Sequence, residues 1–137
     1  MADNRTIVEQ FLQAIAANDI EAQDRLLSDD VVEEYPQSGE RIRGKNNRRG
    51  IIENYPGGTP REASASSATP WGAIIGAGDR FTVVGQVKYP NGETWHLVSL
   101  VELRDGKINK ITDYFAAPFE APAWREPYVE KAAAGSR

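Results

Sequence analysis

A chain of 137 residues, 40% hydrophobic and 26% charged, with a net charge of -4, reads as one soluble globular domain over 1–137 and excludes a disordered or fibrous chain. Only the stretch Arg41 to Arg49 is locally basic, which argues against nucleic acid as a partner. With no cysteine and one histidine, His96, disulfides, thiolate chemistry and multi-histidine metal sites are out; catalysis falls to carboxylic acids, tyrosines, arginines or that imidazole, with no metal and no cofactor expected.

"MADNRTIVEQF" has no basic start followed by an apolar run, and no stretch is apolar for long enough to cross a bilayer, so the expected location is the cytoplasm, with no membrane partner. Ile7, Val8, Phe11, Leu12 and Ile15 recur at helical spacing and predict a helix from about Asp3 to Ala17, capped by Asp3 or Thr6. In "NDIEAQDRLLSDD", Asn18 ends that helix and Asp19 caps a second, whose apolar face is Leu26 and Leu27. "VVEEYP" predicts a strand stopped by Pro36, and "QSGERIRG" a polar loop before a third helix, Lys45 to Tyr55. Glu33 and Glu34 are neighbours on that strand, so at most one of them points inward.

From Arg61 the period changes to two. "REASASSAT" predicts an edge strand, and "RFTVVGQVKY" alternates, with Phe81, Val83, Val87 and Tyr89 on one face. "PNGE" and "RDGK" are hairpin turns on either side of "TWHLVSLVEL", a strand apolar on both faces; "INKITDYF" is the last strand. Helices cover one face of such a sheet, and a second copy of the chain is the natural cover for the other, which predicts a homodimer. A proline-rich tail follows from about 118, with Phe119, Trp124 and Tyr128 as expected packing anchors. The fold class is α+β: three N-terminal helices packed on a curved, mainly antiparallel sheet that wraps into a conical barrel around a pocket.

Asp113 sits between Ile111 and Phe115 on an otherwise apolar strand face, where a carboxylate is costly unless compensated. Taking Asp105-Gly106 as a two-residue hairpin turn sets Leu100 opposite Ile111 and Val98 opposite Asp113, with His96 diagonal to it. Taking Asn91-Gly92 in the same way sets Val87 opposite His96. This register gives an apolar face of Val83, Val87, Val98, Leu100, Ile111 and Phe115 on which His96 and Asp113 meet. A one-residue bulge near Asn109 or Lys110 reverses the faces and brings Trp95, Leu97 and Ser99 to Asp113 instead. Ile108 and Ile111, three apart and both apolar, are the signal for it; the unbulged register is the one adopted for His96.

The order helix, helix, "DDVVEEYPQSGERIRG", third helix, "LRDGKINKITDYFAAPF" resembles the nuclear transport factor 2-like superfamily, and within it the SnoaL-like polyketide cyclase group, from about Asn4 to Trp124. The resemblance implies a conical α+β barrel with a deep pocket and frequent dimerisation. The positions where ketosteroid isomerases of this fold carry a tyrosine and an aspartate hold Phe11 and Tyr35. The final-strand motif of the limonene epoxide hydrolases becomes "TDYFA", keeping Asp113 but with Thr112 in place of arginine. SnoaL-like cyclases use a pocket aspartate helped by a histidine, a place that Asp113 matches.

Together these predict a cofactor-independent enzyme that cyclises or isomerises a small apolar or aromatic carbonyl compound by acid/base proton transfer. Asp113 and His96 are its catalytic residues. Tyr35 orients the substrate, and Trp71, Trp95 and Phe115 supply flat walls. Arg43, Arg48 or Arg49 is available to hold a carboxylate or phosphate at the pocket mouth. The competing reading is a non-enzymatic ligand-binding or dimerisation module of the same fold, with Asp113 a structural acid and His96 and Tyr35 packing residues.

Overall fold

The structure, a computed structural model, describes residues 2–59, 61–62 and 73–131. Helix α1 spans Asn4–Ala16, and the Asp3 side chain, not Thr6, caps it by accepting from the Thr6 amide at 2.8 Å. Asn18 takes a positive φ of 55°, as asparagine tolerates, and turns the chain into α2, Ile20–Leu26, capped by Asp19. Leu27 belongs to strand β1, Leu27–Tyr35, not to the helix.

The loop expected after Pro36 contains a strand, β2, Glu40–Arg43, antiparallel to β1. Helix α3 then runs Gly44–Glu53. Of the edge strand expected in "REASASSAT", Arg61–Glu62 forms β3, and the remainder lies outside the described residues. Strands β4 (Ala73–Ala77), β5 (Arg80–Lys88), β6 (Thr94–Arg104) and β7 (Lys107–Ala116) follow. The sheet order is β2-β1-β7-β6-β5-β3, with β4 also paired to β5. Among the described residues only the β1 to β7 pairing is parallel, and it sets the chain's early strand between β2 and the last strand. The class is α+β, with helices on one side of a curved sheet that does not close.

The core lies between α1 and the sheet's concave face: Ile7, Val8, Phe11 and Leu12 meet Val83, Val101, Ile108 and Ile111, all buried. Each such side chain contributes about 1.5–3 kcal/mol by leaving water.

Both hairpins depart from the expected register. Tyr89 N–H donates to the Glu93 carbonyl at 2.8 Å, enclosing three residues rather than two, so Val87 faces Trp95 and Gln86 faces His96. Between β6 and β7 a bulge sits at Asn109: Leu103 pairs with Ile108, but Glu102 pairs with Lys110. The extra residue lets Ile108 and Ile111, 0% and 3% exposed, both reach the core. The inward face of β6 is therefore Trp95, Leu97, Ser99, Val101 and Leu103, the reverse of the adopted register.

The tail also departs from expectation. Phe119, Trp124 and Tyr128 are 81%, 72% and 83% exposed, so they are not buried against the described residues. Pro118, Pro122 and Pro127 deny the segment both a strand ladder and an α-helix, leaving one 3-10 turn, Ala123–Tyr128. Among the described residues no helix is long and apolar enough to cross a membrane.

Candidate functional site

Asp113 faces the interior and is 6% exposed. Ser99, opposite it on β6, donates its hydroxyl to Asp113 Oδ1. On the other side of β7, parallel pairing sets Glu33 of β1 opposite Ile111, so Glu33 and Asp113 project from adjacent strands into the same space. The Glu33 carboxyl is close enough to act on Asp113 by charge and by hydrogen bonding, both of which raise the Asp113 pKa.

Arg48 of α3 is also buried; its Nε donates to Glu33 Oε1 at 3.0 Å and its Nη1 to Gln23 Oε1 at 2.8 Å. Gln23 Nε2 in turn donates to the Ala14 carbonyl at 3.3 Å. One polar chain thus runs from α1 through α2 and α3 to the two acids, and the guanidinium lies 5.2 Å from the Phe11 ring centroid. Arg48 faces Glu33 directly and compensates its charge. Burial, followed by the negative charge of Glu33, raises the Asp113 pKa well above its ordinary value.

Tyr35, two residues beyond Glu33 on the same strand face, packs edge-on against Phe115 with centroids 6.0 Å apart. Burial, and then the charges of Glu33 and Asp113, push its phenol pKa up, so it remains a neutral hydroxyl. These groups border a cavity of about 120 Å³ whose other walls include Phe11, Ile15, Val87, Leu97 and Ile111. Outside it lies a vestibule of about 550 Å³ reaching Tyr89 and Trp95. Tyr55 and Tyr89 join hydroxyls at 3.1 Å across the vestibule's wall, and Tyr89 lies against Trp95 at 5.2 Å. Among the described residues no group of three or more potential ligands is placed to hold a metal.

The structure brings Asp113, Tyr35, Trp95 and Phe115 together around these two spaces. It does not bring His96 there. His96 is exposed on the opposite face of β6, between Gln86 and Ala116, because the three-residue turn and the Asn109 bulge each shift β6 by one residue. The His96–Asp113 dyad is therefore not formed. Trp71 lies outside the described residues.

Of the adjacent acids, Glu33 points inward and Glu34 outward, where it pairs with Arg41 at 2.9 Å and Lys110 at 3.1 Å. The alternation Val31, Glu33, Tyr35 carried this signal, blurred by Val32 beside Val31. Of the three arginines considered for the pocket mouth, Arg48 does hold a carboxylate, but deep inside and within the chain. Arg49 ties α3 to Glu21 and Asp24 of α2 instead.

A family model described as a SnoaL-like domain matches residues 8–111. No match is found among curated proteins. Among solved structures, an NTF-2-like protein of unknown function from Burkholderia xenovorans LB400 is similar at 34% identity over 94% of each chain, with a TM-score of 0.72. A candidate ketosteroid isomerase from Kribbella flavida is similar at 25% identity over 95% of this chain and 90% of its own, with a TM-score of 0.77. TerC, co-crystallised with polyporic acid, shares the fold at 22% identity over 83% of this chain and 92% of its own, with a TM-score of 0.69.

Proposed function

The chain belongs to the SnoaL-like domain family, and we propose that it is a cofactor-independent enzyme that cyclises or isomerises a small, neutral, mostly apolar carbonyl compound by proton transfer. One observation carries this reading: a buried Asp113 of raised pKa beside an arginine-held Glu33 at the wall of a mostly apolar cavity. Such a pair holds one proton and one negative charge. One carboxyl can give a proton to the carbonyl oxygen while the other takes a proton from the adjacent carbon, the division of labour that enolisation needs. Asp113 is the donor, and Tyr35 donates a second hydrogen bond to the developing enolate oxygen. Arg48 and Glu33 neutralise each other, so the cavity favours a neutral substrate over an anion. Trp95 and Phe115 supply aromatic wall. Small-molecule binding is known for the fold from TerC and polyporic acid.

The test is α-hydrogen exchange. Neutral ketones such as 2-tetralone are incubated with the protein in D2O and followed by proton NMR; enzyme-dependent deuteration at the carbon next to the carbonyl is expected. Ketones that bind in the cavity without any exchange would make the protein a carrier and overturn the proton-transfer reading.

The same chemistry is expected within a homodimer. Ile75, Val84, Leu100 and Tyr114 are 58%, 37%, 39% and 41% exposed on the outer face of the sheet. Cross-strand pairs set Val84 beside Val98 and Val98 beside Tyr114, making one contiguous apolar patch. Sedimentation at micromolar concentration is expected to give twice the chain mass, and Leu100→Glu with Tyr114→Glu the monomer mass; a monomeric wild type would remove the dimer.

A further inference from the structure

The cavity behind Asp113 and the vestibule in front of it are two spaces with a shared neck. Tyr35, Ile51, Tyr55, Asp113 and Phe115 border both. The inner space, about 120 Å³, is smaller than the roughly 150 Å³ apolar cavity that takes a single benzene. Sites for larger organic ligands run to roughly 300–1,000 Å³, a range that the vestibule, at about 550 Å³, reaches on its own. The walls differ in kind. Apart from the residues they share, the inner space is lined by Phe11, aliphatic side chains and the buried Glu33, Arg48 and Gln23, whereas the vestibule adds the rings of Tyr89 and Trp95, with Asn91 and Glu93.

We propose that the substrate is a two-part molecule: a group smaller than a six-membered ring fills the inner space, the carbonyl lies at the neck, and a flat aromatic part lies in the vestibule against Tyr89 and Trp95. This rests on the proton-transfer reading and narrows it. Because Asp113 and Tyr35 stand at the neck, the reacting oxygen must lie between the two parts and not at either end. Tyr89 and Trp95 touch only the distal part and set specificity. A plane resting on their rings adds stacking to apolar burial, while Glu93 offers an acceptor to a hydroxyl on the distal rim.

Two ketones separate the parts. Isopropyl methyl ketone offers the small inner group and the carbonyl; isopropyl phenyl ketone adds an aryl group on the far side of the same carbonyl. Calorimetric titration of the full chain is expected to give the phenyl ketone about tenfold or more higher affinity, and Tyr89→Ala to remove that advantage. Isotope-filtered NOEs on wild-type protein give a readout that does not depend on the variant folding: phenyl protons should contact the Tyr89 and Trp95 rings, and isopropyl protons Phe11 and Ile111. Equal affinities, or phenyl contacts to Phe11, would overturn the two-part substrate alone, provided the methyl ketone still undergoes exchange. Failure of both ketones to bind would overturn it together with the reading beneath it.

Discussion

Asp113→Asn is expected to slow α-hydrogen exchange by about 10²–10⁴-fold, the usual contribution of a positioned acid or base, and at the same time to make the protein more stable at neutral pH. Asparagine preserves the geometry. Its amide oxygen accepts from Ser99 as Asp113 Oδ1 does, and its amide nitrogen is able to donate to the neighbouring Glu33. What it lacks is a proton to give. The stability gain follows from the raised pKa of Asp113 in the folded chain. Between the unfolded aspartate value, about 3.9, and that raised value, the folded chain binds more protons than the unfolded one, so stability falls as pH rises. Asparagine has no such slope. The caps and ion pairs that lower the pKa of Asp3, Asp30 and Glu34 act in the opposite sense, losing stability as pH falls, but they are common to both proteins and cancel in the difference. Urea unfolding of both at about pH 4 and pH 7 checks the result: the difference should be near zero at the lower pH and favour the variant at the higher. A variant less stable at both would mean that Asp113 is ionised and structural.

The fold was largely legible in the sequence because its helices and turns announce themselves locally. Asp3, Asp19 and the apolar spacing of α1 needed no tertiary information. The site was legible only as far as Asp113. Which β6 residues meet it depends on two single-residue choices, the length of the turn at Pro90–Gly92 and the bulge at Asn109, and β6 carries apolar side chains on both faces, so composition could not choose. Ile108 and Ile111 were the deciding pair, and their shared burial outweighs the ladder bond lost at Asn109. Glu33 and Arg48 are 15 residues apart on elements whose relative placement no local pattern fixes. The parallel insertion of β1 beside β7 is what sets Glu33 next to Asp113, and it is a property of topology rather than of any short motif.

Arg48→Met is expected to cost about 3–5 kcal/mol of folding stability at neutral pH, because it strips the partner from a buried carboxylate. Methionine matches the stem of arginine in length and keeps contact with Phe11, so the loss reports charge more than packing. Glu33 and Gln23 are each left without the hydrogen bond that Arg48 Nε and Nη1 provide. Glu33→Gln in the Arg48→Met background removes the uncompensated charge and should recover much of the loss, a coupling of about 1–3 kcal/mol when the two single variants and the double are compared. The double variant separates two uses of the same residues. If Arg48 and Glu33 served stability alone, restoring stability would restore exchange. Because Glu33 is assigned half of the proton transfer, the double variant is expected to fold and remain inactive. Recovery of both stability and exchange would take Glu33 out of the chemistry and leave Asp113 to work alone.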